Sequence, residues 1–152
     1  MLAHTLNWIF NAHFWDFGRF LGITRTSPDV FIPYIRKISQ RLGNRHSVMV
    51  VLIIGSISRG QILKETSDID MIFIRSGGIK NAFNAVLVTM LERIIAFFNK
   101  FPLHLELYDS IDEMRKHRND EVPVLLKDED GRGQNWYAAN GRSTVYFQDI
   151  AT

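Results

Sequence analysis

Apolar positions along this chain recur with two different periods. The run Val48-Met49-Val50-Val51-Leu52-Ile53-Ile54 is continuous, rich in β-branched residues and too short to span a bilayer, which predicts a buried strand. A second apolar run, Met71-Ile72-Phe73-Ile74, follows two acids and predicts another strand, with helices covering both faces of the sheet. Over Leu103–Tyr108 the pattern alternates. Leu103, Leu105 and Leu107 take one face and His104, Glu106 and Tyr108 the other, as in a strand with one polar side.

Between these runs the period becomes helical. Phe31, Ile35, Ile38 and Leu42 form one stripe, opened by Ser27 as cap with Pro28 in the first turn, and closed by Gly43. Pro33 falls early enough in that helix to be tolerated. Arg36, Lys37 and Arg41 lie off the stripe and are expected to be solvated. Asn81–Lys100 carries Phe83, Val86, Leu87, Met90, Leu91, Ile94, Ile95 and Phe98, and Leu87, Met90, Leu91 and Ile94 are expected in the core. Arg75–Gly78 reads as a turn, and Lys100-Phe101-Pro102 ends the long helix.

The ends of the chain are less regular. Met1–Thr24 holds Trp8, Phe10, Phe14, Trp15, Phe17 and Phe20 among polar residues at near-helical spacing. That predicts an amphipathic helix packed on the core, on a second subunit, on another protein or on a membrane face. His4 and His13 in this stretch lack a clustered partner and are taken as structural. Past the third strand, Ser110 with Glu113 resembles a capping box, and the basic run Arg115-Lys116-His117-Arg118 follows. Val122–Leu126 predicts a short strand, Lys127–Gly133 a polar turn, and Thr144–Phe147 a last strand. The acids of that turn lack the register and closing Glu of a calcium loop. The alternation of helices and strands predicts an α/β (α+β) fold, a mixed β-sheet covered by helices. One domain is expected over residues 27–152, behind an aromatic, helical segment over 1–26.

Composition narrows this picture only slightly. A chain of 152 residues can bury a sizeable core as one domain. Its net charge of +2 is too small to point to nucleic acid. It has no cysteine, which excludes disulfides and thiolate metal sites. No uninterrupted apolar run has transmembrane length and the start lacks a signal-peptide pattern, so a cytoplasmic location is expected.

The candidate chemistry lies between the first two strands. Asp68 and Asp70 share a face, roughly 6.6 Å apart along an extended chain. Paired carboxylates repel unless a cation sits between them, and hard divalent cations such as Mg²⁺ favour such oxygens. An Asp-x-Asp pair alone is common at solvated strand starts. What gives it weight is Gly55-Ser56 upstream, at the end of the first strand. Glu106 is the further acid to expect, because a carboxylate within an apolar strand is solvated, paired or metal-bound. Asp109 is the fallback, one residue beyond the alternation.

Gly55-Ser56, with eleven residues before Asp68 and then Ser67-Asp68-Ile69-Asp70 leading into a strand, resembles the signature of the DNA polymerase β-type nucleotidyltransferase superfamily. The chain looks like a small stand-alone, minimal nucleotidyltransferase-like member. The spacing is nearer to the oligoadenylate-synthase and cyclic-oligonucleotide-synthase branch. The likeness covers Val48 to Tyr108. It implies a Gly-Ser turn that opens a short helix and binds a nucleoside triphosphate, most simply ATP, through Gly55, Ser56, Arg59 and Ser67. It implies two Mg²⁺ ions held by the catalytic carboxylates Asp68, Asp70 and Glu106. The implied reaction moves a nucleoside monophosphate to an acceptor hydroxyl and releases pyrophosphate. Alternatives on the same fold are an antitoxin-like module that binds a protein partner, a homodimer joined through the aromatic segment, or a nucleotide sensor without turnover.

Overall fold

The computed structural model describes residues 26–116 and 121–150, together with Thr5, Phe17, Gly18 and Leu21. The helix expected over Met1–Thr24, with His4 and His13, and the end of the basic run at His117 and Arg118 lie outside the described residues. A 3-10 turn, Pro28–Val30, leads into helix α1, Phe31–Leu42. Strands β1 (Val48–Ile54) and β2 (Ile69–Arg75) follow, then the long helix α2 (Ile79–Phe98) and β3 (Leu103–Tyr108). A 3-10 segment Ile111–Lys116, strand β4 (Val124–Asp128), helix α3 (Arg132–Ala139), strand β5 (Val145–Tyr146) and helix α4 (Phe147–Ile150) complete the order.

The five strands form one mixed sheet in the order β3-β2-β1-β4-β5. β1 runs antiparallel to β2 and β4, while β2–β3 and β4–β5 are parallel. The parallel β2–β3 pair needs a long crossover, which α2 supplies. The mixed, helix-covered sheet read from the sequence is the one observed.

Side-chain alternation divides the core in two. Val51, Ile53, Met71, Phe73, Leu103 and Leu105 point to the face covered by α1 and α2. Val50, Leu52, Ile72, Ile74 and Leu125 point to the other, against Met114 and Tyr137. Helix α1 packs as its stripe predicts: Phe31, Ile35, Ile38 and Leu42 are buried, and Tyr34 stacks on Phe101 with ring centroids 3.9 Å apart.

Helix α2 corrects the sequence reading. Its buried residues are Ala85, Thr89, Glu92 and Ala96, while Leu87, Met90 and Leu91, expected in the core, are 48%, 50% and 46% exposed, and Ile94 is half-buried. The helix is apolar nearly all round, so periodicity alone does not select a face. The small side chains of Ala85, Thr89 and Ala96 let it approach the sheet closely. Arg41 of α1 then fixes the rotation. Its Nε and Nη2 donate to the two oxygens of buried Glu92 at 2.9 and 2.6 Å, and this bond raises the Arg41 pKa. Arg41 is therefore paired, not solvated as expected. Among the described residues α2 is the one helix long and apolar enough to cross a membrane, yet it packs on β2 and β3 as a sheet-covering helix.

The tail holds a second correction. The polar turn expected over Lys127–Gly133 is the end of β4, a 3-10 turn and the start of α3. Asp128 explains the acid there: its two oxygens accept from the amides of Gly133 and Gln134 at 2.7 and 2.9 Å, holding the first turn of α3. A Cβ on Gly133 would lie 3.0 Å from both Val50 and Leu125, so a residue without a side chain lets α3 sit tightly on the sheet.

Candidate active site

Strands β1, β2 and β3 place the polar candidates on the sheet face opposite α1 and α2. Asp70 pairs with Ile54 across β1–β2 and with His104 across β2–β3, so the first residues of β2 and β3 and the last of β1 meet at one end of the sheet. A small cavity there is lined by Ile54, Asp70, Met71, Ile72, His104 and Glu106.

His104 is the centre of this group. Its Nδ1 lies 3.2 Å from Asp70 Oδ1, and its Nε2 lies 4.0 Å from Glu106 Oε1. The hydrogen bond to Asp70 raises the His104 pKa above its ordinary value. Burial opposes the rise, and the charges of Asp70, Glu106 and Asp68 add to it. Asp68 stands immediately before β2, within electrostatic reach of the same imidazole. Asp70 and Glu106 thus flank one side chain, a third of which is exposed, and Asp68 reaches it only electrostatically. Tyr108, next on that face, donates to Glu106 Oε2 at 2.5 Å, and burial together with this bond pushes its pKa up. Asp109 lies apart from the group, exposed and bonded to Arg75 at 2.6 Å.

The turn after β1 is tied to the acids by steric necessity. Gly55 has φ +79°, and a Cβ there would fall 2.6 Å from Asp70 Oδ2. Only glycine lets the Asp70 carboxylate lie against the turn. Gly55–Gly60 forms linked turns, with Arg59 N donating to Gly55 O at 3.2 Å and Gln61 N to Ser56 O at 3.0 Å, where a short helix was expected. Gly60, also at positive φ, unwinds the segment before a helix is established. Ser58 closes the turn through its hydroxyl on Gly55 O.

The remaining expected nucleotide contacts have partners within the fold. Arg59 Nη1 pairs at 2.5 Å with Glu121, whose side chain is 5% exposed. Ser67 Oγ accepts from the Lys64 amide at 2.9 Å and so closes the loop before β2. Sequence reasoning assigned no role to His104 or Tyr108. The alternation that set them beside Glu106 was the available signal.

The carboxylate oxygens of Asp70 and Glu106 suit a hard divalent cation, whereas the imidazole between them is a donor for softer metals. As the side chains stand, no group of three or more acidic or histidine residues among the described residues is close enough to hold a metal ion. His104 fills the space between Asp70 and Glu106, so metal binding requires its ring to turn aside or to become a ligand. The chain matches no protein-family model, no curated protein and no solved structure.

Proposed function

We propose that this protein is a divalent-metal-dependent nucleotidyltransferase, moving a nucleoside monophosphate from a triphosphate such as ATP to an acceptor hydroxyl with release of pyrophosphate. The observation that carries the reading is the placement of Asp70 and Glu106 on either side of His104 beside the Gly55 turn, with Asp68 two residues before Asp70. Carboxylates from two parallel strands held this close repel one another, which favours binding a positive charge between them.

Asp68, Asp70 and Glu106 would hold two Mg²⁺ ions. When bound, such a pair neutralises the triphosphate and lowers the pKa of the attacking hydroxyl. The chain's own groups do the positioning on which phosphoryl chemistry depends. Gly55 keeps the Asp70 carboxylate against the turn. The amides at the head of that turn, with Ser56, face the outgoing phosphates. Tyr108 restrains one oxygen of Glu106, and His104 holds Asp70 through a hydrogen bond. The Arg59–Glu121 pair anchors the turn, which gives Arg59 a supporting place in the reading.

A second reading is a partner-binding module on the same fold. The apolar outer face of α2 favours it, and it is compatible with catalysis.

The test is label transfer from ATP or GTP carrying label in the α-phosphate, with Mg²⁺ and a panel of protein, nucleic-acid and small-molecule hydroxyl acceptors. Wild-type protein transfers label. Asp70→Asn loses roughly a hundredfold or more, and His104→Ala, which clears the space between two proposed ligands, lowers the Mg²⁺ requirement. Label transfer undiminished in Asp68→Asn/Asp70→Asn would sink the assignment.

A further inference from the structure

The second observation that the site leaves unused is the outer surface of α2. Phe83, Val86, Leu87, Met90, Leu91 and Phe98 are between 46% and 74% exposed, on a helix whose inner side is made of small residues and a buried glutamate. We infer that this surface is a homodimer interface, in which α2 of one copy packs against α2 of a second copy across a two-fold axis.

Area supports this occupant. With about 200 Å² for each large side chain, six that are on average somewhat over half exposed offer roughly 700 Å². That is close to the ≈ 800 Å² per partner of a standard interface. Charge supports it as well. The ionic residues in the body of α2, Glu92 and Arg93, are both turned inward, Glu92 to Arg41 and Arg93 to the Leu105 carbonyl. An uncharged centre with a polar rim is the composition of an interface core. Asn81, Asn84, Arg45 and His46 supply that rim along a groove beside the helix.

The surface offers a ridge beside a groove. Phe83, Val86 and Met90 form a ridge at spacings of three and four. Leu87, Val88 and Leu91 line the adjoining groove, between α2 and residues 44–47. A two-fold rotation sets each ridge into the other copy's groove, the isologous arrangement of a cyclic dimer.

A membrane fits less well. A bilayer surface calls for a row of lysine or arginine along the apolar face, whereas the cations here are Lys80 and Lys100 at the two ends of the helix and Arg45 beside it. The acids lie on the opposite face of the sheet, so pairing through α2 leaves both candidate sites open.

The test is the mass of the full chain in solution by sedimentation equilibrium, from 1 to about 50 μM, without lipid. The expected result is about twice 17.6 kDa, reduced to the single-chain value in Leu87→Glu/Leu91→Glu with unchanged far-ultraviolet circular dichroism. Because the chain has no cysteine, Leu87→Cys gives an independent reading. Mild oxidation should link two copies through it, while Asp112→Cys, exposed on the other side of the sheet, should not link them. A wild-type chain that stays single at 50 μM overturns the inference. So does a dimer that survives both glutamates without Leu87→Cys linkage. A single chain that binds phosphatidylcholine–phosphatidylserine vesicles through α2 assigns the face to a membrane, and one that dimerises only after removal of residues 1–25 assigns it to the leading segment. Either result also overturns the inference.

Discussion

Helix α1 meets the sheet with Phe31, Tyr34, Ile35, Ile38 and Leu42, whereas α2, on the same face of the same sheet, meets it with Ala85, Thr89, Glu92 and Ala96. The two are neighbours, joined by the Arg41–Glu92 pair, and both are apolar enough to cover a sheet. They differ in what lies behind them. Beyond α1 the residues are polar, so its single apolar stripe has one place to go. Beyond α2 there is a second apolar stripe. The difference shows that an apolar side chain marks surface to be covered without saying by what, and that a small-residue seam competes well for the sheet because it allows close approach.

Truncation of the α1 stripe should separate the two helices most clearly. Ile38→Ala is expected to destabilise the fold by about 2–5 kcal/mol, against less than about 1 kcal/mol for Met90→Ala in the single chain, as read by urea unfolding at low protein concentration. Equal losses would mean that α2 does not present the face described here. Next in size is the tie between the helices. Arg41→Met leaves the Glu92 carboxylate buried without its partner, and should cost about 2–3 kcal/mol. That is the low side for a buried pair, because Arg41 is a third exposed. Adding Glu92→Leu to it should recover part of the loss. The smallest effect tests the seam itself. Ala85→Leu is expected to cost about 1–3 kcal/mol by holding α2 away from the sheet, and a neutral result would show that the close approach is dispensable.

The same contrast governs what could be read in advance. β1, β2, β3 and α1 were legible because each carries one unambiguous period: a continuous β-branched run, an acid-led apolar run, a clean alternation and a single stripe. The parity that sets His104, Glu106 and Tyr108 on one face follows directly from that alternation. α3 was not legible, since its residues Arg132–Ala139 show no strong apolar stripe and its stability comes from Asp128 at its first turn and from Gly133 against Val50 and Leu125. Arg41 was misplaced for a related reason. Its partner, Glu92, lies 51 residues away along the chain.

What the sequence by itself determined is the set of strands, their facing residues, and the positions of Asp68 and Asp70 where β2 begins and of Glu106 within β3. These depend on periods of two and on local backbone freedom, which neighbouring residues settle among themselves. The tertiary structure alone decided that Asp70 and Glu106 flank His104, that Gly55 yields its side-chain space to Asp70, and that α2 turns Glu92 inward and its large apolar side chains outward. Each of these is a contest between distant groups for one buried place, and its outcome depends on distances that only the assembled sheet sets.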